Sequence, residues 1–206
     1  DGVAVFNRTS AANVATALAL GGPGRTMISA APQQKHHPSV RRGAALSQSR
    51  LECVSSAEEL RALNVDADNA FCLITSVTSE LLYFNEEEMK ALICAATEKG
   101  LTVVVDDAYG ARLRPIVFGY TPSLKAGADA VSTNNDKAGL NGPRSRIMVG
   151  RRDLVTPIHS TAFEIGMDGR APLCLPAYRS LLNLTPHARP HAAPACHQLH
   201  ESLPVT

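Results

Sequence analysis

The chain has 206 residues, of which 45% are hydrophobic, 19% charged and 4% aromatic, with a formal net charge of +1. That length supports one sizeable domain or two small ones around a real core. The near-neutral balance excludes a nucleic-acid binder that relies on a strongly basic surface. No apolar run approaches the ~20 residues of a membrane-spanning helix, and no signal-peptide pattern opens the chain. Five cysteines, an odd number spread from Cys53 to Cys196, fit free thiols in a reducing cytosol better than a disulfide framework, so the expected location is cytoplasmic. The chain opens on Asp1 without a methionine, which leads us to expect a fragment.

In chain order, short β-branched runs fall at Val3–Phe6, Arg25–Ser29, Arg50–Val54, Ala70–Thr75, Leu101–Asp106, Asp129–Thr133 and Arg146–Val149. Helix-like segments lie between several of them. Thr9–Leu20 is alanine-rich and stops at Gly21-Gly22. Ser56–Leu63 follows a serine cap and carries Glu58 and Glu59 in its first turn. The clearest helix is Glu86–Lys99, capped by Asn85, closed by Lys99-Gly100, and striped by Met89, Leu92, Ile93 and Ala96. Val103-Val104-Val105 lacks polar alternation, so both its faces should be buried. Strands alternating with helices predict a three-layer α/β fold with a mostly parallel, seven-stranded sheet.

The end of the chain reads differently. Arg151–Asp153 and Ala171–Leu184 have helical character, and Leu173, Leu175, Tyr178, Leu181 and Leu182 offer an apolar face that should pack on something. After Thr185 prolines interrupt the chain and no apolar period survives. We expect a large domain over 1–155, a linker and truncated small domain over 156–184, and an irregular tail over 185–206. The tail residues His187, His191, Cys196, His197 and His200 are metal-ligand types, but their proline-broken spacing argues against a zinc site, and we expect no metal.

Ligands of parallel α/β sheets bind at the carboxyl ends of the strands. Polar residues just past the buried runs are therefore the ones that matter. One run ends in Asp106-Asp107-Ala108-Tyr109-Gly110, another in Asn134-Asn135-Asp136-Lys137, and the opening run in Asn7-Arg8-Thr9-Ser10 at a helix start. Ser76, Thr78 and Ser79 lie past a third. A lysine amine can condense with an aldehyde cofactor, and an acidic residue can pair with the nitrogen of a pyridinium ring. A helix start with two hydroxyls suits a phosphate, although N-capping uses the same donors. Asp107 is the alternative carboxylate. Gly21-Gly-Pro-Gly24 follows a helix instead of preceding one, so it is a turn, not a nucleotide loop.

The strings Asn7-Arg-Thr-Ser-Ala-Ala, His37-Pro-Ser-Val, Val-Asp106-Asp-Ala-Tyr-Gly-Ala-Arg, and Asp136-Lys137 with Gly142-Pro-Arg occur in that order. Together they resemble the fold type I, aspartate-aminotransferase-like pyridoxal phosphate enzymes. Within these they are most similar to the archaeal relatives of selenocysteine synthase, the L-seryl-tRNA(Sec) selenium transferase family. The resemblance implies that Lys137 holds pyridoxal 5'-phosphate as an imine and Asp106 binds the ring nitrogen. It implies that His37 stacks on the ring and that Thr9 and Ser10 hold the phosphate. Tyr109, Ser79 and Asp136 would complete the cofactor surroundings. Tyr109 stands where the selenocysteine branch carries a small residue and aminotransferases often carry tyrosine.

The function that the resemblance implies is that of a transferase or lyase acting on an amino-acid or aminoacyl substrate. The open alternatives are a cysteine desulfurase-, aldolase- or aminotransferase-like enzyme, or a catalytically silent cofactor-binding domain. Family members are about twice this length and build their sites in homodimers or larger homo-oligomers. The resemblance admits tRNA as a partner, which the charge does not support, and no membrane.

Overall fold

All six residues of Ala70–Thr75 are buried, which only a central strand covered on both faces allows. The structure, a computed structural model, describes residues 1–109, 114–116, 118–137 and 140–183. Seven strands form one sheet: β1 (Gly2–Phe6), β2 (Thr26–Ala30), β3 (Arg50–Val54), β4 (Ala70–Thr75), β5 (Thr102–Asp106), β6 (Ala130–Asn134) and β7 (Arg146–Gly150). Their order is β1-β7-β6-β5-β4-β2-β3. Strands β2 to β6 run parallel, while β7 lies antiparallel between β6 and β1. The expected fold class, an α/β mostly parallel seven-stranded sheet, is the observed one.

Helices flank both faces: α1 (Thr9–Leu20), α2 (Pro38–Leu46), α3 (Ala57–Ala62), α4 (Glu86–Glu98), α5 (Arg152–Glu164) and α6 (Ala171–Leu182). On one face Leu60 of α3 and Leu92 and Ile93 of α4 join Ile28, Ile74, Val103 and Val105. On the other, Ala12 and Ala15 of α1, Val40 of α2 and Ile158 of α5 join Phe6, Met27, Leu73, Val104 and Met148. Asn85 and Glu88 close a reciprocal capping box at the start of α4, as the Asn-x-x-Glu spacing indicates.

Three segments differ from the sequence reading. Helix α2 was not anticipated, because its N-terminal Pro38 and internal Gly43 look like breakers. Proline is tolerated in a first turn, and Gly43 is where α2 meets α1: an added Cβ would lie 2.8 Å from the Ala17 Cβ. Helix α5 continues from Arg152 through Pro157 to Glu164 and packs on α1 and β1, well past the Arg151–Asp153 segment that looked helical. Helix α6 forms as expected, but Leu175, Tyr178 and Leu182 are exposed and only Ala177 is buried. Of the two expected partners for that face, the sheet or a further domain, the sheet does not cover these three side chains.

The tail expected to be irregular, 185–206, and its histidines lie outside the described residues. Among the described residues, no helix is long and apolar enough to cross a membrane.

Gly150 ends β7 opposite both Gly2 and Ala130. A Cβ there would stand 2.3 Å from the Asp129 carbonyl oxygen and 2.6 Å from the Ala130 Cα, both rigid backbone. Gly150→Ala should therefore destabilise the chain by about 1–3 kcal/mol, the scale of core overpacking, in urea unfolding. An unchanged midpoint would show that the β6–β7 spacing is softer than described.

Candidate active site

Alternation along β5 sends Val103 and Val105 to the α3/α4 face and Val104 and Asp106 to the α1 face. Asp106 is thus buried at the carboxyl end of the sheet under α1. One carboxylate oxygen accepts from Asn13 Nδ2 of α1 at 2.8 Å, and the other is paired with the Arg146 guanidinium. Arg146 opens β7 and is fully buried. Its remaining contacts spread across neighbouring strands: Nη2 donates to the Ser132 carbonyl and hydroxyl, each at 2.8 Å, and Nη1 to Asn134 Oδ1 at 2.8 Å and Thr9 Oγ1 at 3.3 Å. Because β7 is antiparallel, its first residue lies at the same edge as the last residues of β5 and β6. That reversal is what brings the arginine to the carboxylate.

Above this pair lies a cavity of about 200 Å³ lined by Arg8, Thr9, Ser10, Asn134, Asp136, Lys137, Arg144 and Ser145. Helix α1 points its N-terminus into it, and the residue before the helix, Arg8, supplies no side-chain cap. Backbone N–H groups, two hydroxyls and two guanidinium groups on one concave surface make a phosphate-sized anion site. Asp136 stays on the rim, accepting from Asn134 Nδ2 at 3.2 Å and facing Arg144 at 3.8 Å. Lys137 Nζ lies 3.1 Å from Tyr109 Oη and 4.2 Å from the centre of its ring.

Four of the eight residues singled out from sequence (Thr9, Ser10, Asp136 and Lys137) share that cavity, and Tyr109 touches the lysine. Asp106 sits beneath it through Arg146, Asn134 and Thr9. His37 caps α2, its Nδ1 2.7 Å from Ser39 Oγ. That hydroxyl accepts from Asn13 at 3.0 Å, so His37 is linked to Asp106 through two side chains. Ser79 is exposed in the turn after β4 and does not line the cavity. The neighbouring His36 turns to Ser29 at 2.8 Å, and burial lowers its pKa.

Asp107 points to the opposite face of the sheet. It accepts from Ser76 Oγ, lies 3.7 Å from Arg114, and has its carboxyl pushed up by burial. Its partners are not those of Asp106, which separates the two adjacent carboxylates.

The sequence reading missed Arg146, Asn13 and Ser39. An arginine at the mouth of an apolar strand and an asparagine inside an alanine-rich helix are the traces they leave, since both positions would otherwise be apolar. Arg8, Arg144 and Ser145 lie in or beside the same motifs but carried no role there.

The residues present fit a pyridine ring bearing a phosphate. A carboxylate offers about four acceptor sites, so Asp106 retains capacity for a ring N–H after serving Asn13 and Arg146. Next to it in register on the same face, Thr75 Oγ1 is buried without a hydrogen-bond partner.

No protein-family model matches the chain. It is 33% identical over 184 residues to a UPF0425 pyridoxal phosphate-dependent protein of Methanothermobacter thermautotrophicus, an alignment covering 89% of this chain and 48% of the relative. The chain thus spans about half the length of the curated relatives it matches. Among solved structures it resembles the N-succinyldiaminopimelate aminotransferase of Mycobacterium tuberculosis, with a TM-score of 0.71 at 20% identity, over 90% of this chain and 51% of that one. It also resembles the apo methionine γ-lyase CalE6 of Micromonospora echinospora, with a TM-score of 0.67 at 23% identity, over 88% and 48% respectively. These likenesses establish the fold.

The electrostatics predict two outcomes. Arg146→Met leaves Asp106 buried without its cation and should cost about 3–5 kcal/mol in urea unfolding, whereas adding Asp106→Asn should recover most of that loss. A loss below about 1 kcal/mol for the single variant would show that the pair is not central. For Asp107 the folded state holds its proton above the pH at which the unfolded chain releases it. Its contribution to stability is therefore full below the unfolded carboxyl pKa and is lost as pH rises through the raised folded value. Unfolding measured across that acidic range should show this descending component in the parent chain and lack it in Asp107→Asn.

Proposed function

We propose that this chain is the cofactor-binding part of a pyridoxal phosphate-dependent enzyme acting on an amino-acid substrate, with Lys137 as the cofactor's covalent anchor. The observation that carries the reading is the single cavity that unites Lys137 with the α1 N-terminus, Thr9 and Ser10, above the buried Asp106. The likeness to the Methanothermobacter pyridoxal phosphate-dependent protein supports the same cofactor.

Each residue then has a physical task. The hydroxyls of Thr9 and Ser10, with Arg8 and Arg144, hold the phosphate against the positive end of α1. Asp106, its oxygens held by Asn13 and Arg146, would be the acceptor for the ring nitrogen. The bound cofactor supplies an electron sink for negative charge developing at the substrate α-carbon. Tyr109 Oη receives the Lys137 N–H and orients the amine toward the cavity. His37 reaches the same network through Ser39 and in this reading would cover one face of the ring.

Within this class we favour the selenocysteine synthase-like branch, with transfer or elimination at an amino-acid side chain, because the motif order matches it. A desulfurase-like reading needs a reactive thiol. Burial pushes Cys72 up to about 12 and raises Cys53 and Cys174, and the Glu98 hydrogen bond raises Cys94. None of the described cysteines has the lowered pKa of a nucleophile.

Incubation with pyridoxal phosphate should give a yellow protein that borohydride fixes covalently, with the modified peptide containing Lys137. Lys137→Ala should lose both colour and label. A label on Lys99 or Lys125, or colour retained in the variant, would overturn the assignment.

A further inference from the structure

The turn between β2 and α2 and one side of α2 border an open cavity of about 490 Å³. Lys35 and His36 line it from the turn, and Arg41 and Arg42 from the helix. Gln34, Pro38 and Ala45 complete the lining, so none of the described residues around it is acidic. It shares no residue with the anion cavity at the start of α1. In a chain with a net charge of only +1, this is a local excess of positive charge.

Three features set this cluster apart from an ordinary solvated face. Its charges are not used internally: among the described residues, neither Arg41 nor Arg42 pairs with a carboxylate. Lys35 meets Glu80 at 3.6 Å, but both side chains are more than half exposed, and such a pair is weak. His36 is held by Ser29 Oγ, 2.8 Å from its Nδ1, while its Nε2 is buried without a partner. Burial first, and then the charge of Arg41, lowers the His36 pKa, so a guanidinium stands close to the imidazole. Gln33 and Gln34 both adopt left-handed backbone, at φ +50° and +60°, in the turn that presents Lys35 and His36.

We infer that this cavity is a second anion site, which takes the phosphate group of a small molecule. Two guanidinium forks and an ammonium match a doubly charged group with several acceptor oxygens better than a single carboxylate. The anion also supplies the acceptor that a His36 Nε2–H lacks. Pro38, Ala45 and the aliphatic stems of the two arginines offer apolar surface to the rest of the molecule. A single-stranded nucleic acid calls for aromatic rings interleaved with the cations, and no phenylalanine or tyrosine lines this cavity. The inference stands without the cofactor reading. The two are nonetheless neighbours, since His37, the next residue, leads through Ser39 and Asn13 to Asp106.

His36 is the reporter. Its ring nitrogens, followed by long-range proton–nitrogen NMR on the full chain, are assigned by their loss in His36→Gln. Pyrophosphate should shift them in a saturable way, and acetate at the same ionic strength should not. Arg41→Gln combined with Arg42→Gln removes two exposed charges and should weaken that response by about tenfold or more. Arg42→Glu alone should act in the same direction, and it serves if the double variant does not fold. Arg8→Gln, in the cavity at the start of α1, should leave the His36 response unchanged, which tells the two anion sites apart.

Inorganic phosphate and glycerol phosphate, titrated in the same way, identify the source of the group. Saturation at a lower concentration of the ester marks a phosphorylated metabolite, and the reverse order marks the free ion; both support the site. A response that acetate reproduces, that does not saturate, or that survives a folded arginine variant would overturn the inference. So would a short single-stranded RNA that saturates well below pyrophosphate and is lost in the same variants, since the surface would then belong to a nucleic acid.

Discussion

The constraint on which the site depends is the burial of Arg146 against Asp106. Two charges under a helix layer are costly to remove from water unless their remaining donors and acceptors are met. Here Asn13, Ser132, Asn134 and Thr9 meet most of them. Those residues come from α1 and β6, and the pair itself from β5 and β7, so satisfying one ion pair fixes the relative position of four elements. The same network places Asn134 next to the Asp136-Lys137 loop. Charge burial and the placing of Lys137 are thus one requirement.

The two adjacent aspartates show how a strand end separates roles by parity. Asp106 falls on the α1 face and is paired with Arg146 and Asn13, while Asp107 falls on the other, where burial outweighs the Ser76 hydroxyl and a more distant arginine. A one-residue slip in β5 would exchange them. The register Ile74 to Val105 and Thr75 to Asp106, held by apolar side chains on both faces, prevents it.

Much of this was legible in the residues because it depends on local chemistry. All seven strands were marked by β-branched runs, α1 by its alanines and Gly21-Gly22, and α4 by its cap. Asp106, Lys137 and Thr9-Ser10 were marked by their positions after strands. What escaped notice depends on contacts distant in sequence. Arg146 acquires meaning only when β7 is known to run antiparallel beside β6, and Asn13 only when α1 is laid over β5. Helix α2 was hidden because its proline and glycine, which look like punctuation, serve an N-terminal turn and a close helix contact. The exposed leucines of α6 mark the opposite limit, since an apolar stripe tells that a face can be covered but not that this stretch of chain covers it.

The placement of β7 between β6 and β1 also governs the order in which the molecule can be assembled. Among the described residues, Gly2–Phe6 comes first of the seven strands in sequence, yet it pairs with Arg146–Gly150, the seventh. Pairings so distant in sequence form slowly, because a long loop must close before any contact offsets its entropy. During synthesis β2 to β6 can pair in sequence, while β1 and the helix that follows it must wait. The phosphate-sized end of the cavity belongs to that waiting segment. A nascent chain therefore carries Asp106 and Lys137 before it has Arg146, the buried partner of that aspartate, and this part of the site is assembled only when β7 arrives.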